Sequence, residues 1–280
     1  MSQDTVSHID VRSLFRPLDE ALISLLKSLS ADDWNKQTVA KKWKVKDVAT
    51  HLLDGNIRAL SIQRDKYFGE VPPQINGYSD MVNWLNQLNA DWVNATKRIS
   101  PSVLIFLHEF TGKETSTYFE SLDLFEEAIF PVDWAGESVS YNWMHLAREY
   151  TEKWHHQQQI REAVGKEGIM TKQFYFPLID TYFRALPNTF KDTQAETGTL
   201  IETTITSEIG GSWYLLKKEE KWELVSTADK EPDAKVELPA EVSWQLFSKN
   251  KRANEVINQI QLSGNTALAK QVLEMVSVMA

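Results

Sequence analysis

The chain has no cysteine. That excludes disulfides, thiolate metal ligands and a protein thiol nucleophile, so any sulfur chemistry must be carried by a small molecule. It also lacks an excess of positive charge: 30 Lys and Arg stand against 39 Asp and Glu, a net charge of −9. With the basic residues scattered, there is no electrostatic footprint for nucleic acid and no polybasic run for an anionic membrane surface. Long apolar runs are missing as well. The stretch Val103–Leu107, for example, falls far short of the roughly 20 residues that a spanning helix needs. Residues Met1–Asp10 are polar and carry no secretory signal, so a cytoplasmic location is expected. No internal repeat and no low-complexity tract interrupts the chain.

What is present reads as an ordinary globular protein. A length of 280 residues suits two domains, and 42% hydrophobic with 25% charged residues is a normal composition. The 10 tryptophans imply several large buried aromatic contacts. Leu18, Leu22, Leu25, Leu26 and Leu29 recur at helical spacing, with Pro17 in a first turn. A second helix begins near Val45 and carries Val48, His51, Leu52 and Ile57 toward Tyr67, stopped by Pro72-Pro73. A third runs from Met81 to Thr96, another helical stretch covers Val103–Phe110, and Tyr118–Glu137 reads as irregular.

A long helix is expected from Val139 to Val164, N-capped by Ser138 and ended by Gly165. Phe174–Leu186 is one more helix, stopped by Pro187. Short runs then alternate with period two at Thr199–Ile205, Ser212–Leu216, Trp222–Ser226 and Lys235–Leu238, with Lys217–Lys221 as a charged hairpin turn. Val256, Ile260 and Leu262 suggest a last strand, and Leu268, Val272, Met275 and Met279 the seam of a terminal helix. The fold class is thus a helical domain over 1–170 followed by an antiparallel-sheet α+β domain over 171–280.

The long helix concentrates the chemistry, with His145, Glu149, Glu152, His155 and His156. Glu152 and His156 are four apart, so both leave one face with Cβ atoms about 5–6 Å apart, close enough to share an ion. A third ligand must come from another helix, and His51 is the histidine of helix two. Two imidazoles and a carboxylate suit zinc and related divalent metals, and three protein ligands leave positions open, as in catalytic sites. Spacing alone does not select this pair: His145 and Glu149 form a rival with the same chemistry. The adjacent His155 and His156 cannot both face one ion, because helical neighbours diverge by about 100°. The polar residues also lie opposite the stripe Trp143, Ala147, Tyr150 and Trp154. Either the aromatic stripe is buried and the polar one is solvated, or the helix buries both.

Two segments carry a family resemblance. Trp43-Lys-Val-Lys-Asp47-Val-Ala-Thr-His51-Leu52 resembles the pattern W-x-V-x-D-x-x-x-H-L, and Glu152-Lys-Trp154-His-His156-Gln-Gln-Gln-Ile-Arg161 resembles E-x-x-x-H followed by Arg. Both are similar to motifs of the DinB-like four-helix-bundle superfamily, in particular the N-terminal domain of mycothiol-dependent maleylpyruvate isomerase. Gly211-Ser-Trp213, Trp222-Glu-Leu, Trp244-Gln-Leu-Phe247 and Ser263-Gly-Asn265 resemble the family's small sterol-carrier-like C-terminal domain. The resemblance implies a four-helix bundle with His51, Glu152 and His156 as metal ligands, His155 as a non-ligand and Arg161 behind them. Asp54, one turn after His51, is by spacing a candidate acceptor to orient that imidazole.

It also implies a basic residue of the C-terminal domain near the metal, for which Lys249, Lys251 and Arg252 are candidates. The implied activity is a divalent-metal-dependent, thiol-using isomerase or S-transferase acting on a small electrophilic metabolite. The metal is zinc first, with nickel, manganese or iron as alternatives, and the thiol is mycothiol, bacillithiol or glutathione. Two other readings remain open. One is a hydrolase that activates water, with His145 or Glu149 as general base. The other is a protein that binds a small molecule without catalysis, in a monomer or a homodimer. Trp34, Trp43, Trp84 and Trp92 read as core.

Overall fold

The structure, a computed structural model, describes residues 6–70 and 73–278. Pro72 and Met279, both used in the sequence reading, lie outside the described residues. The chain forms two units. A bundle unit comprises residues 11–124 and 152–169, and a sheet unit comprises residues 6–10, 125–151 and 170–278.

In the bundle unit the leucine spacing builds α1 (Phe15–Lys27), which buries Leu18, Leu22, Leu25 and Leu26 on one face. The first turn of α2 (Val45–Arg58) is closed by Asp47, whose carboxylate accepts from the Lys44 N–H at 2.9 Å. This helix stops short of Tyr67, because the backbone widens into a π-helical turn at Ala59–Arg64. α3 (Tyr78–Thr96) lies along α2, tied by the Trp92 indole N–H to the Thr50 carbonyl at 2.8 Å and by Arg58 to Asn89 at 2.8 Å.

α4 (Pro101–Glu120) is capped by the Ser100 hydroxyl and runs ten residues past the stretch read from the sequence. Its second half turns Thr111, Gly112, Thr115 and Ser116 inward. These small and polar side chains hide the apolar period that reveals a helix in sequence. The second half of α5 (Asn142–Val164) adds Ile160 to a core shared with Leu22, Leu26, Val45, Val48, Leu52 and Leu104.

The inward polar residues of this bundle form a network. The Lys153 ammonium donates to Asp19 Oδ1 at 2.8 Å and Asn56 Oδ1 at 2.5 Å. Asn56 in turn donates to the Thr111 hydroxyl at 3.2 Å, and Ser116 donates to Asp19 Oδ2 at 3.5 Å. Gly112 lets α1 come this close: a Cβ there would stand 3.1 Å from Asp19 Oδ2.

α5 begins three residues later than expected and not on Ser138. Ser140 just ahead of it donates its hydroxyl proton to Glu137 and accepts from the Val132 N–H, and Gly165 ends the helix at φ +68. Both stripes are buried: Ala147, Tyr150 and Trp154 on one side, and His145 and His156 on the other. The solvated polar face is therefore not what this helix has.

In the sheet unit, α6 (Lys172–Phe183) and the short α7 (Leu186–Thr189) precede β1 (Leu200–Ile205), β2 (Ser212–Lys217), β3 (Trp222–Val225) and β4 (Ala234–Leu238). α8 (Ala240–Phe247), α9 (Ala253–Val256), β5 (Gln261–Gly264) and α10 (Thr266–Val272) follow. Pro187 opens α7 instead of stopping α6, as its fixed φ favours. The sheet order is β3-β2-β1-β4-β5. It is mixed: β1 pairs with β4 in parallel, against the all-antiparallel expectation, while the other pairings are antiparallel.

Trp213 anchors α6, stacking on Phe183 at 4.4 Å and donating its indole N–H to Asp180 at 2.7 Å. α8 buries every residue but Glu241 and so has no period to read. The final strand is four residues, preceded by α9 and a 3-10 turn. Asn265 caps α10, its side-chain oxygen accepting from Ala267 and Leu268 N–H groups. Asn265→Ala is expected to lower stability by about 1 kcal/mol, the usual value of such a cap, read from the urea midpoint. Among the described residues no helix is long and apolar enough to cross a membrane.

Candidate metal centre

His51 lies in the middle of α2, and Glu152 and His156 lie one turn apart on α5, all within the bundle unit. One ligand atom from each comes within 4.8 Å of the other two. Glu152 Oε2 is 3.5 Å from His156 Nε2, and the His51 and His156 rings meet edge to face at 4.6 Å. No other such group of three His, Asp or Glu side chains forms among the described residues.

The electrostatics suit a cation. Burial pushes the pKa of His51 well below its ordinary value, and the nearby His156 and Arg58 push it further down. His51 is therefore a neutral imidazole with a lone pair to give. Burial alone would raise Glu152, but its histidine neighbours, His155 first, outweigh it and hold the carboxylate below its usual range. Nδ1 of His51 is buried with no hydrogen-bond partner, a state that costs about 1–3 kcal/mol unless something satisfies it. One anionic oxygen and two imidazoles, one of them with a buried nitrogen that no protein group satisfies, fit a divalent ion of the zinc class.

The surroundings hold these groups in place. His156 Nδ1 is 2.9 Å from Gln159 Oε1. The amide oxygen only accepts, so Nδ1 carries the proton and Nε2 presents its lone pair on the side of Glu152. The sequence reading missed Gln159, whose signal was its place one turn after His156. Trp43, read as core, lays its indole against His51 at 4.8 Å and lies 6.1 Å from the His156 ring. The His155 ring lies 3.9 Å from that of His156, with the planes tilted by 39°.

The remaining sequence candidates are placed differently. Asp54 was expected to orient His51. Instead it pairs with Arg58 at 2.7 Å, and no hydrogen bond joins it to His51. One helical turn puts it equally close to Arg58, whose charge offsets the burial that raises the Asp54 pKa. Arg161 donates to the backbone carbonyls of Ala21 and Glu167. His145 and Glu149 belong to the sheet unit, where Arg148 bridges them, 2.9 Å from His145 Nδ1 and 2.7 Å from Glu149 Oε1. The rival pair is thus not assembled with the triad. Lys249, Lys251 and Arg252 lie in the turn between α8 and α9, where the Arg252 N–H donates to Glu255 at 2.6 Å.

The bundle holds a further histidine away from the triad. His108 is buried and donates Nε2–H to the Ala49 carbonyl at 2.9 Å. Burial pushes its pKa down to about 4; the Ala49 hydrogen bond opposes the shift and the Lys153 charge adds to it. The unfolded chain protonates the same ring near 6.5, so between these values the unfolded state binds more protons. Stability is expected to fall as pH drops from 6.5 to about 4, by up to about 3 kcal/mol from this residue. His108→Gln should flatten that slope by about one proton, measured as urea stability against pH.

The family model described as "Mycothiol maleylpyruvate isomerase N-terminal domain" matches residues 15–161. Two solved structures resemble the chain over nearly its whole length. The crystal structure of a mycothiol-dependent maleylpyruvate isomerase aligns at a TM-score of 0.53 with 11% identity, covering 90% of this chain and 91% of the other. A mutant of an enzyme of the same description aligns at 0.54 with 10% identity and the same coverage. At such identities these two establish the fold. A comparison with curated proteins finds no match. The family match reaches from the start of α1 to Arg161, taking in all three residues of the triad and more than half of the sequence, and the chain belongs to the mycothiol maleylpyruvate isomerase N-terminal domain family.

Proposed function

We propose that this protein is a divalent-metal-dependent enzyme that uses a low-molecular-weight thiol to isomerise a small electrophilic metabolite or to add that thiol to it. The observation that carries the reading is the convergence of one ligand atom each from His51, Glu152 and His156 within 4.8 Å of one another. The thiol is supported by the family's description as mycothiol enzymes and by a chain that has no sulfur nucleophile of its own.

His51, Glu152 and His156 would hold the ion, with zinc first and nickel, manganese or iron as alternatives. When bound, the ion lowers the pKa of a coordinated thiol and keeps it as a nucleophilic thiolate near neutral pH. Glu152 supplies the negative charge that favours a dication. His51 offers its lone pair without first losing a proton. Gln159 keeps the His156 proton on Nδ1, so that Nε2 stays free to bind. The half-buried Trp43 and the buried His155 exclude water beside the two imidazoles. A thiolate added to an electrophilic carbon permits rotation about the former double bond. The electron pair of that bond moves onto the substrate; elimination restores the double bond, returns the thiolate and gives an isomer, whereas a proton taken from water gives a stable thioether.

The test is to load the protein with Zn2+ and incubate it with mycothiol, bacillithiol or glutathione and a panel of small electrophiles. The expected result is isomer without net thiol loss, or thiol consumption, in either case dependent on both metal and thiol. No metal-dependent turnover in any combination sinks the proposal. A water-activating version would draw on His145 or Glu149 as base, and Arg148 engages both in the other unit.

A further inference from the structure

We infer that Trp43 is a positioning residue of the metal centre: its indole, carried on a backbone tied into the Gln37–Lys44 loop, packs on His51 and holds that imidazole in its ligating orientation. This rests on the reading that His51, Glu152 and His156 bind a metal.

The two imidazoles of the triad are held in different ways. A terminal ring torsion is broad and roughly two-fold, so an imidazole needs a contact to fix its plane. Metal-bound histidines usually obtain it from a hydrogen bond on the other ring nitrogen. His156 has that bond, to Gln159 at 2.9 Å. His51 has no such bond: among the described residues no hydrogen bond to either nitrogen of its ring is present, and Asp54, the nearest acid along the helix, is engaged by Arg58. What the His51 ring does touch is aromatic. Trp43 lies at 4.8 Å with the planes inclined by 44°, and His156 meets it edge-on at 4.6 Å. Packing against the indole does for His51 what Gln159 does for His156.

The backbone that carries the indole is well anchored for a surface loop. The Trp43 carbonyl accepts three hydrogen bonds, from the Thr38 N–H at 3.3 Å, the Thr38 hydroxyl at 2.7 Å and the Gln37 side-chain amide at 2.8 Å. The Trp43 N–H donates to the Ala40 carbonyl at 2.8 Å, and Gln37 and Lys44 form an antiparallel bridge. A loop whose only task is to connect two helices has no need of three donors on one carbonyl. The indole is half-buried, packing one part on the bundle core and the other on the histidines. It thereby links the rigid interior to the ligand.

The test uses Co2+, whose visible absorption reports coordination geometry, on the full-length protein and three variants. Trp43→Ala is expected to raise the Co2+ Kd by about 10–100-fold, the usual effect of losing a residue that orients a ligand, and to change the visible bands. Trp43→Phe, which keeps a ring against His51, should restore the wild-type spectrum and most of the affinity. Thr38→Val leaves every aromatic in place and removes one anchor of the loop; a smaller rise in Kd is expected. Trp43→Ala with wild-type affinity and spectrum overturns the inference, whatever it does to thermal stability. Should Trp43→Ala not fold, an unchanged Kd and spectrum in Thr38→Val overturns it. A wild-type protein that binds no Co2+ removes the metal reading and this inference together, and is recognised because no variant then differs from it.

Discussion

Replacing His51 by alanine is expected to remove stoichiometric metal from the purified protein and to raise the Zn2+ Kd by more than about 100-fold. The lower bound follows from what ligand-supporting residues contribute, about 10–100-fold each, since a ligand itself contributes more. A 100-fold change corresponds to about 2.7 kcal/mol. The remaining pair, Glu152 and His156, is one turn apart on a single helix, an arrangement common on solvated helices that bind no ion. Glu152→Gln keeps the volume and loses the charge, and is expected to weaken binding in the same direction. Metal content by elemental analysis and Zn2+ titration calorimetry read both effects. A thermal scan supplies an independent measure. Metal at 100 times Kd stabilises the wild type by about 2.7 kcal/mol, and this gain should vanish in His51→Ala. The apo variant should remain folded, because the substitution removes a buried nitrogen that has no partner. Unchanged metal content in His51→Ala would rule out the triad.

Asp19→Ala is expected to destabilise the protein by about 3 kcal/mol or more, the range for breaking a buried ion pair. Only 9% of the Asp19 side chain and 12% of the Lys153 side chain is exposed. Removing the carboxylate leaves an ammonium in the bundle with the Asn56 amide oxygen as its remaining partner. Most of the loss comes from that stranded charge, so taking it away should reverse it. Asp19→Ala with Lys153→Met replaces the pair by apolar groups and is expected to recover most of the stability. Equilibrium urea unfolding of the three proteins decides this, and an equal loss in single and double variants would contradict it. Lys153 directly follows Glu152, so the same ion pair fixes the rotation of α5 about its axis. The double variant tells whether that register survives without it, through its Zn2+ affinity.

The legible elements share a physical trait. Leu18, Leu22, Leu25 and Leu26 in α1, and Ile201, Thr203 and Ile205 in β1, each bury one face of a regular structure, and burying one face leaves its period in the sequence. Where an element buries nearly all its residues, as α8 does, or buries hydroxyls and glycine, as the second half of α4 does, the period disappears. Thr111, Gly112, Thr115 and Ser116 leave no apolar period because they face polar partners, Asn56 and Asp19, on other helices. The parallel pairing of β1 with β4 is equally silent, since each strand alternates in the same way whichever neighbour it takes.

The candidate site divides along the same line. The Glu152/His156 pair was visible because four residues make one helical turn, but His145/Glu149 was visible for the same reason, and only the family resemblance separated them. The support around the triad was not visible. Asp54, a plausible partner for His51 by spacing, is taken by Arg58, and the positions of Trp43 and Gln159 beside the imidazoles depend on a loop and a rotamer.

By itself, then, the sequence determined what is local: helix and strand periods, the absence of protein thiols, the acidic balance, and the two motifs that mark the family. The tertiary structure alone decided which distant groups meet. It brought an imidazole of α2 to the carboxylate and imidazole of α5, drew Lys153 into the bundle with Asp19, and left one ring nitrogen without a partner. The reason is that periodicity records which face of an element avoids water, whereas a site depends on how faces from separate elements are rotated against one another, and no single segment encodes that.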